Sequence, residues 1–425
     1  MKLRLKSAGL IALFGVTACA PLGIPAAKDA PNGQLASPAA LAAFGNDAAV
    51  DDAADWERRR APVLREAFET HLYGVIPPLG PARRTETRLV EERAYDGRAR
   101  IEEWSVGYLP DADGRPRRDF KLALVIPETE EEAKPVIILQ TFCGNRRALA
   151  PADVASPFGP DEDGPCGESF LTPLFLWIFG EHIMSPPVAR ILDRGYALAF
   201  MYPGEIVPDA EEPARAAMAE LSEAAAGGAE ISAVGAWASG FSLAIDALEA
   251  DGRFDAGRMA VWGHSRHGKA ALVAGAYDAR VDLVIAHQSG TGGATLSRSD
   301  AGESVKAITR TYPYWFNEQF ASYAGREAEI PVDQHQLLAL IAPRPIFLGN
   351  ARRDVWSDPQ GAFAAARGAD PVYELLGAAG LEQPDLVSVN FAAEIAFYMR
   401  GGRHGVTAED WDAFLAFLDA QFAAR

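Results

Sequence analysis

Residues 258–269 hold the feature that most restricts what this chain can fold into. They read Arg-Met-Ala-Val-Trp-Gly-His-Ser-Arg-His-Gly-Lys, and a helix-compatible, alanine-rich run follows. A strand that turns sharply into a helix can hold a serine hydroxyl above the edge of a parallel sheet, in a nucleophile elbow. Ser265 lies at this turn, just after Gly263, although the second glycine of a G-x-S-x-G pattern falls one place late, at Gly268. The stretch therefore predicts a hydrolase elbow with Ser265 as the nucleophile.

Apolar runs elsewhere in the chain predict the sheet around this elbow. Two of them favour antiparallel strands, at 100–107 and 120–126, and five have the continuous apolar character of buried strands, at 135–140, 196–202, 283–287, 345–350 and 395–400. The later strands alternate with helical patterns. This alternation predicts an α/β-hydrolase fold: a doubly wound, mostly parallel sheet in a three-layer αβα sandwich. Two long intervals, 171–187 and 297–334, are expected to form loops around a cleft.

Length, composition and charge limit the protein's class. The chain has 425 residues, 49% of them hydrophobic, and a formal net charge of −18. Such a chain can form one large α/β domain with insertions or two domains, and we predict a single catalytic domain over 47–425. An acidic protein is a poor partner for a phosphate backbone, so nucleic acid is excluded. We expect a monomer.

The N-terminus has the features of an export signal. Lys2, Arg4 and Lys6 precede a short apolar core at residues 10–16, followed by Val16-Thr-Ala-Cys19. This last motif resembles the lipobox of bacterial lipoproteins, so we predict a signal peptide over 1–18 and a lipidated Cys19. An ordinary secretory signal cut near the same place is the alternative. Residues 19–46 are predicted to be a flexible linker. The protein is then periplasmic, anchored to the outer membrane by its lipid, or secreted.

Export would place Cys143 and Cys166 in an oxidising compartment, where a disulfide can form. Two free buried thiols fit the sequence as well. Neither cysteine belongs to a C-x-x-C motif or lies near a pair of histidines. These cysteines therefore predict no metal site. We also expect no cofactor.

A base and an acid are needed to activate the serine, and in α/β-hydrolases they follow it in the order acid, then histidine. His404 lies in a glycine-rich loop directly after the last strand, where the base belongs, and His335 and His287 are weaker candidates. Asp354 follows the strand at 345–350 closely, so it is the predicted acid. Asp358 precedes a proline and is expected to cap the next helix instead.

Two cations near Ser265 suit a developing negative charge and a polar substrate. Arg266 directly follows the serine, so its guanidinium can add a charged donor to the oxyanion hole. Pairing of Arg266 with a surface acid is the alternative. Lys269 lies one helical turn after Ser265 and can face the same cleft.

At these residues the chain resembles the bacterial glucuronoyl esterases of carbohydrate esterase family 15. The likeness extends from about Trp56 to the C-terminus, and its motifs are highly specific when taken together. They are Gly263-His-Ser-Arg-His-Gly-Lys269, Ser289-Gly-Thr-Gly-Gly293, Gly302-Glu303, Tyr314-Trp-Phe316, Pro331-Val-Asp-Gln-His335, Ala342-Pro-Arg-Pro345, Asp354-Val-Trp356 and Arg400-Gly-Gly-Arg-His404.

The resemblance implies a metal-free esterase that cleaves esters of (4-O-methyl)-glucuronic acid on xylan, as in links to lignin. It implies that Ser265 is the nucleophile, His404 the base and Arg266 the oxyanion donor. The residues implied to contact the sugar are Lys269, Glu303, Trp356 and Gln288.

Three of these assignments have alternatives. Glu303 could form a salt bridge with Lys269, and Trp356 could belong to the core. Gln288 stands where many members carry the catalytic glutamate, so either Asp354 is the acid or activity is weakened.

The function has alternatives too. They are an esterase for other carbohydrate esters, such as acetylated xylan, and a non-catalytic glycan-binding lipoprotein on the same fold.

Overall fold

The structure is a computed structural model, and it describes residues 39–42, 48–149, 153–158 and 172–423. The predicted signal peptide, Cys19 and Cys166 lie outside the described residues. Within the predicted linker, Ala40 is buried, and the guanidinium of Arg60 donates to the carbonyls of Ala40 and Ala42 at 2.9 and 2.6 Å. The folded domain therefore begins before residue 47, and the predicted boundary was too late.

In the described part of the chain, nine strands form one sheet in the order β1-β2-β3-β5-β4-β6-β7-β8-β9. They are β1 (Arg83–Arg93), β2 (Ala99–Pro110), β3 (Pro116–Pro127), β4 (Lys134–Gln140), β5 (Ala197–Met201), β6 (Phe254–His264), β7 (Leu283–His287), β8 (Ile346–Ala351) and β9 (Ile395–Arg400). Pairing is antiparallel from β1 through β3 to β5 and parallel from β5 to β9.

The predicted strands are confirmed, and the structure adds β1 at the sheet edge. Sequence analysis missed this strand because its residues, Arg-Arg-Thr-Glu-Thr-Arg-Leu-Val-Glu-Glu-Arg, are mostly exposed and lack apolar alternation. Charged side chains of this kind are typical of edge strands, since they discourage pairing with another chain.

Helices cover both faces of the sheet. The α-helices are α1 (Ala53–Asp55), α2 (Ala61–Phe68), α3 (Ala94–Gly97), α4 (Asn145–Ala148), α5 (Thr172–Phe179), α6 (Val188–Leu192), α7 (Glu211–Ala225), α8 (Ala233–Glu249), α9 (Arg266–Tyr277), α10 (Val305–Thr311), α11 (Glu318–Ser322), α12 (Gln334–Ala339), α13 (Pro359–Leu375) and α14 (Ala408–Ala423). The described residues also contain two π-helical segments, Trp56–Arg60 and Glu69–Tyr73, and two 3₁₀ turns, Pro203–Glu205 and Glu327–Glu329.

The sheet separates two hydrophobic cores. Successive side chains of a strand point to opposite faces, so in β6 Met259 and Val261 join one core, while Ala260 and Trp262 join the other. Helices α8, α9, α12 and α13 contribute to the first core, and α6 and α14 to the second. This three-layer arrangement confirms the predicted α/β-hydrolase fold. Among the described residues, no helix is long and apolar enough to span a bilayer.

The parallel strands bring the candidate residues to one edge of the sheet. The carboxyl end of β6 leads into Ser265, and that of β7 into Gln288. The loops after β8 and β9 carry Asp354 and His404. Since parallel neighbours end on the same side, this edge is where a ligand of an open α/β sheet is expected to bind.

Candidate active site

Ser265 occupies a sharp turn between β6 and α9. Its backbone angles, φ 56° and ψ −122°, are a conformation that non-glycine residues rarely adopt. A Cβ on Gly263 would lie 2.0 Å from the carbonyl oxygen of His267, and one on Gly268 would lie 3.0 Å from that of Gly263. The late glycine therefore lets the start of α9 pack closely against the end of β6. The predicted strand, turn and helix are confirmed.

His404 and Asp354 meet across two loops. The Nδ1 of His404 lies 2.7 Å from the Oδ2 of Asp354, and Ser357 donates its hydroxyl to the same oxygen at 2.6 Å. Burial alone would raise the pKa of Asp354, but the charge and hydrogen bond of His404, together with Ser357, lower it. The ring centroid of His404 lies 4.6 Å from that of His264, the residue just before Ser265. This contact brings the imidazole to the elbow.

The weaker candidates for the catalytic base and acid have other partners or are buried elsewhere. His287 is fully buried, with its Nδ1 3.1 Å from the Nδ1 of His264 and its Nε2 3.2 Å from Asp410. His335 lies in α12 and is 2% exposed, which fits the expected structural role. Asp358 accepts from the N–H of Gly361 at 3.0 Å and caps α13, as predicted.

Gln288 is buried and is not open to a substrate. It is 1% exposed, and its side-chain oxygen accepts from the N–H of Gly405 at 2.7 Å. Its side-chain nitrogen donates to the carbonyl of Arg403 at 3.2 Å. Both amide atoms are thus engaged by the loop that carries His404. The predicted substrate contact is therefore corrected, because the side chain is buried under that loop.

Arg266 is buried and forms an ion pair with Asp209. Its Cζ lies over two aromatic rings, 5.1 Å from the centroid of Phe142 and 5.4 Å from that of Trp315. The hydroxyl of Tyr314 and the Nε1 of Trp315 donate to Asp209 at 2.7 and 2.9 Å. The alternative considered for Arg266, pairing of its guanidinium with an acidic residue, is therefore observed. Sequence analysis missed Asp209 itself, although it follows the carboxyl end of β5.

Lys269 lies under the loop that follows β7. It is 4% exposed, and its Nζ donates to the carbonyls of Ser289 and Thr291 at 2.5 Å each. Burial lowers the pKa of Lys269 and raises that of Glu303, while the charge of each residue opposes the shift of the other. The two side chains are therefore electrostatically coupled at the cleft.

Glu303 and Trp356 join two loops at the mouth of the site. The N–H of Glu303 donates to the carbonyl of Trp356 at 2.9 Å, and their side chains also share a hydrogen bond. Burial raises the pKa of Glu303, and the charges of Lys269 and His404 oppose that rise. Trp356 is 40% exposed. Its ring therefore does not belong to the core, the alternative considered above.

The loop after β4 forms another wall of the site. The Phe142 ring stacks on that of His267, with centroids 4.4 Å apart, and Asn145 donates its amide to the carbonyl of Lys121 at 2.9 Å. Between them, Cys143 is disulfide-bonded, whereas its predicted partner lies outside the described residues. The part of the chain that the structure describes contains no group of three or more metal-ligating side chains.

The fold and this site together define a carboxylic ester hydrolase of the α/β-hydrolase type. Comparison with known proteins narrows the class. Residues 225–377 match the family model described as glucuronyl esterase of fungi. The carbohydrate esterase MZ0003, from an unknown prokaryotic organism, is 33% identical over 87% of this chain and 86% of its own.

Two further relatives agree. The solved glucuronoyl esterase from Solibacter usitatus is 32% identical, with a TM-score of 0.76 over 92% of this chain and 99% of its own. The 4-O-methyl-glucuronoyl methylesterase 1 from Wolfiporia cocos is 39% identical over 35% of this chain and 39% of its own. The chain belongs to carbohydrate esterase family 15, as a bacterial glucuronoyl esterase.

Proposed function

We propose that this protein hydrolyses esters of (4-O-methyl)-glucuronic acid through Ser265, His404 and Asp354, as in the ester links between glucuronoxylan and lignin. The observation that carries the proposal is the 2.7 Å hydrogen bond between His404 and Asp354 beside the strained elbow of Ser265. The chemistry needs a nucleophile, a base and an orienting acid, and these three supply it. The name of the Wolfiporia cocos relative supports the sugar acid.

The first half of the reaction forms an acyl-enzyme. The Ser265 oxygen attacks the ester carbonyl while the Nε2 of His404 takes the proton of the Ser265 hydroxyl. Asp354 stabilises the resulting imidazolium. The negative charge on the carbonyl oxygen is met by the N–H and guanidinium of Arg266. Collapse of this intermediate expels the alcohol, which takes the proton from His404. Water, activated in the same way, then releases the uronate from Ser265.

Three further residues, Lys269, Glu303 and Trp356, position the sugar ring. Lys269 presents a cation, and Glu303 can accept hydrogen bonds from two sugar hydroxyls. Trp356 offers an exposed indole face next to Glu303, and aromatic faces suit the apolar side of a pyranose ring. Lys269 lies in α9, which follows β6, and Glu303 and Trp356 lie in the loops after β7 and β8, so the substrate would lie across the carboxyl ends of these strands.

Hydrolysis of methyl or benzyl glucuronate by the purified protein and its Ser265→Ala variant tests the proposal. We expect turnover by the wild type and none above background by the variant. Ser222→Ala is a matched control, since the Ser222 hydroxyl donates to the carbonyl of Ala229 at 2.6 Å, outside the candidate site. Equal turnover by wild type and Ser265→Ala would reject the nucleophile. Faster cleavage of acetylated xylan would favour the other esterase, and binding of xylan fragments without hydrolysis would favour the glycan-binding protein.

We also propose that the protein is an exported lipoprotein, or else a secreted protein. The charged and apolar pattern before Cys19 supports export, and so does the disulfide at Cys143, since such bonds persist in oxidising compartments. Labelling of the expressed protein with a palmitate analogue, compared with a Cys19→Ser variant, tests the anchor. Equal labelling of both would exclude lipidation at Cys19.

A further inference from the structure

Gln288 bonds the His404 loop on both sides of the histidine. Its Nε2 donates to the carbonyl of Arg403 at 3.2 Å, and its Oε1 accepts from the N–H of Gly405 at 2.7 Å. These groups belong to the two peptide units that flank His404. Because a peptide unit is planar, holding both units restricts the two backbone rotations of the residue between them. The side chain of Gln288 thus limits the directions in which the imidazole can point.

Gln288 is itself rigidly held. It directly follows β7, and its N–H donates to the carbonyl of Gly349 in β8 at 2.7 Å. Its own carbonyl accepts from the Ser357 hydroxyl at 3.4 Å, the same hydroxyl that bonds Asp354. The sheet edge therefore supports the acid loop and the histidine loop through one residue.

We propose that Gln288 is a positioning residue whose amide holds the His404 loop so that the imidazole can face Ser265 and Asp354 at once. This inference rests on the proposed roles of those three residues. Since Asp354 already bonds the Nδ1 of His404, Gln288 acts on the backbone of the loop and leaves the ring to Asp354.

The amide is required because it both donates and accepts. A carboxylate could still accept from the N–H of Gly405, but it would face the lone pairs of the Arg403 carbonyl. Arg400 donates to the carbonyls of Arg403 and Gly405 at 3.1 and 2.8 Å from the other side. A guanidinium has no acceptor, however, so Arg400 cannot replace Gln288 at the N–H of Gly405.

Steady-state kinetics of Gln288→Leu and Gln288→Glu test the proposal on methyl glucuronate. We expect kcat to fall about 100-fold in the leucine variant, because a small misplacement of a catalytic group costs that much, while KM changes less than about threefold. The glutamate variant should lose about tenfold, since one of two bonds remains. A glutamate variant as fast as the wild type would overturn the proposal, because an acid at 288 would then suffice.

Gln383→Leu is the matched control. The amide of Gln383 donates to the carbonyl of Asp385 at 2.8 Å and accepts from the N–H of Phe397 in β9 at 3.0 Å, and the residue is 8% exposed. Gln383→Leu therefore loses one donated and one accepted hydrogen bond, as Gln288→Leu does, but away from the His404 loop. We expect its kcat to stay within about twofold of the wild type. An equal fall in kcat for Gln288→Leu and Gln383→Leu would show that the loss comes from general destabilisation of the fold, and it would overturn the proposal.

Two further measurements separate positioning from mere structure. If Gln288 and Asp354 both act by orienting His404, the losses of Gln288→Leu and Asp354→Asn should not multiply in the double variant. Amide hydrogen exchange of residues 401–407 should be faster in Gln288→Leu and unchanged in Gln383→Leu. Unchanged exchange in Gln288→Leu would overturn the proposal. A wild type that hydrolyses no glucuronate ester would refute the proposed function instead, while faster exchange in Gln288→Leu would still support the hold on the loop.

Discussion

Replacement of Asp354 by asparagine should abolish nearly all activity while leaving the site's shape intact. The carboxylate lies 2.7 Å from the Nδ1 of His404, and Asp354 is 3% exposed. In the reaction the imidazole becomes positively charged against this carboxylate. With roughly 4 Å between the charge centres and an effective dielectric constant of about 20, their attraction is worth about 4 kcal/mol. That corresponds to a roughly 10³-fold loss of kcat.

The tautomer of His404 adds to this loss. Asp354 accepts a hydrogen bond from the N–H at Nδ1, so the imidazole proton stays on Nδ1 and Nε2 is free to take the proton of Ser265. An asparagine amide can donate to Nδ1 instead, which moves the imidazole proton to Nε2, where it blocks the base. We therefore expect kcat to fall between about 10³- and 10⁴-fold, with KM changed less than about threefold.

The assay is release of alcohol from benzyl glucuronate near neutral pH. Asp358→Asn is the matched control, since Asp358 is another buried aspartate of the same loop, but it caps α13. We expect this control to keep the cap of α13, because asparagine caps a helix about as well as aspartate, and to keep most of the activity. Near-normal turnover by Asp354→Asn would refute the acid assignment, and a larger loss in Asp358→Asn would transfer the role to that residue.

Three other predictions follow from the charged residues around the site. Lys269→Met should raise KM for glucuronate esters at least tenfold by removing a charged hydrogen bond. Because burial lowers the pKa of Lys269, the wild-type KM should rise at alkaline pH, and the variant should lack that rise. Asp209→Asn should lower kcat/KM at least tenfold, since it removes the ion-pair partner of Arg266, and unchanged kinetics would detach Arg266 from the oxyanion. His287 and Arg400 lower the pKa of Asp410 to about 2 against the effect of burial, so Asp410 stabilises the fold above about pH 4 and loses this effect as pH falls toward 2. Asp410→Asn should thus reduce the free energy of unfolding by about 2 kcal/mol at pH 7 and by less at pH 3, as measured by urea denaturation.

The candidate site divides into residues that sequence analysis could place and residues that it could not. Ser265, Asp354 and His404 each stand directly after an apolar strand, so their convergence at one sheet edge follows from the parallel order of β6, β8 and β9. Asp209 lies farther beyond its strand, after the 3₁₀ turn Pro203–Glu205 that follows β5, and it carried no motif, so it was missed.

The partners of the predicted residues were harder still. Gln288 was taken for a substrate contact because its neighbours along the chain gave no indication that its amide would meet the loop at 403–405, more than a hundred residues away. The docking of residues 39–42 was missed for a related reason. These residues, Ala-Ala-Leu-Ala, belong to a stretch rich in alanine, proline and glycine that was interpreted as a linker. The structure shows that the guanidinium of Arg60 and the N–H of Val50 bond their carbonyls.

The sequence by itself determined the fold class, the elbow and the order of nucleophile, acid and base. Apolar periodicity and glycine placement are local properties, and they decide which segments become strands, helices and tight turns. The tertiary structure alone decided which polar groups meet. It paired Arg266 with Asp209, and it set the amide of Gln288 under His404. Such pairs form between groups far apart in the chain, because a buried polar group is stable only beside a partner, and packing chooses that partner.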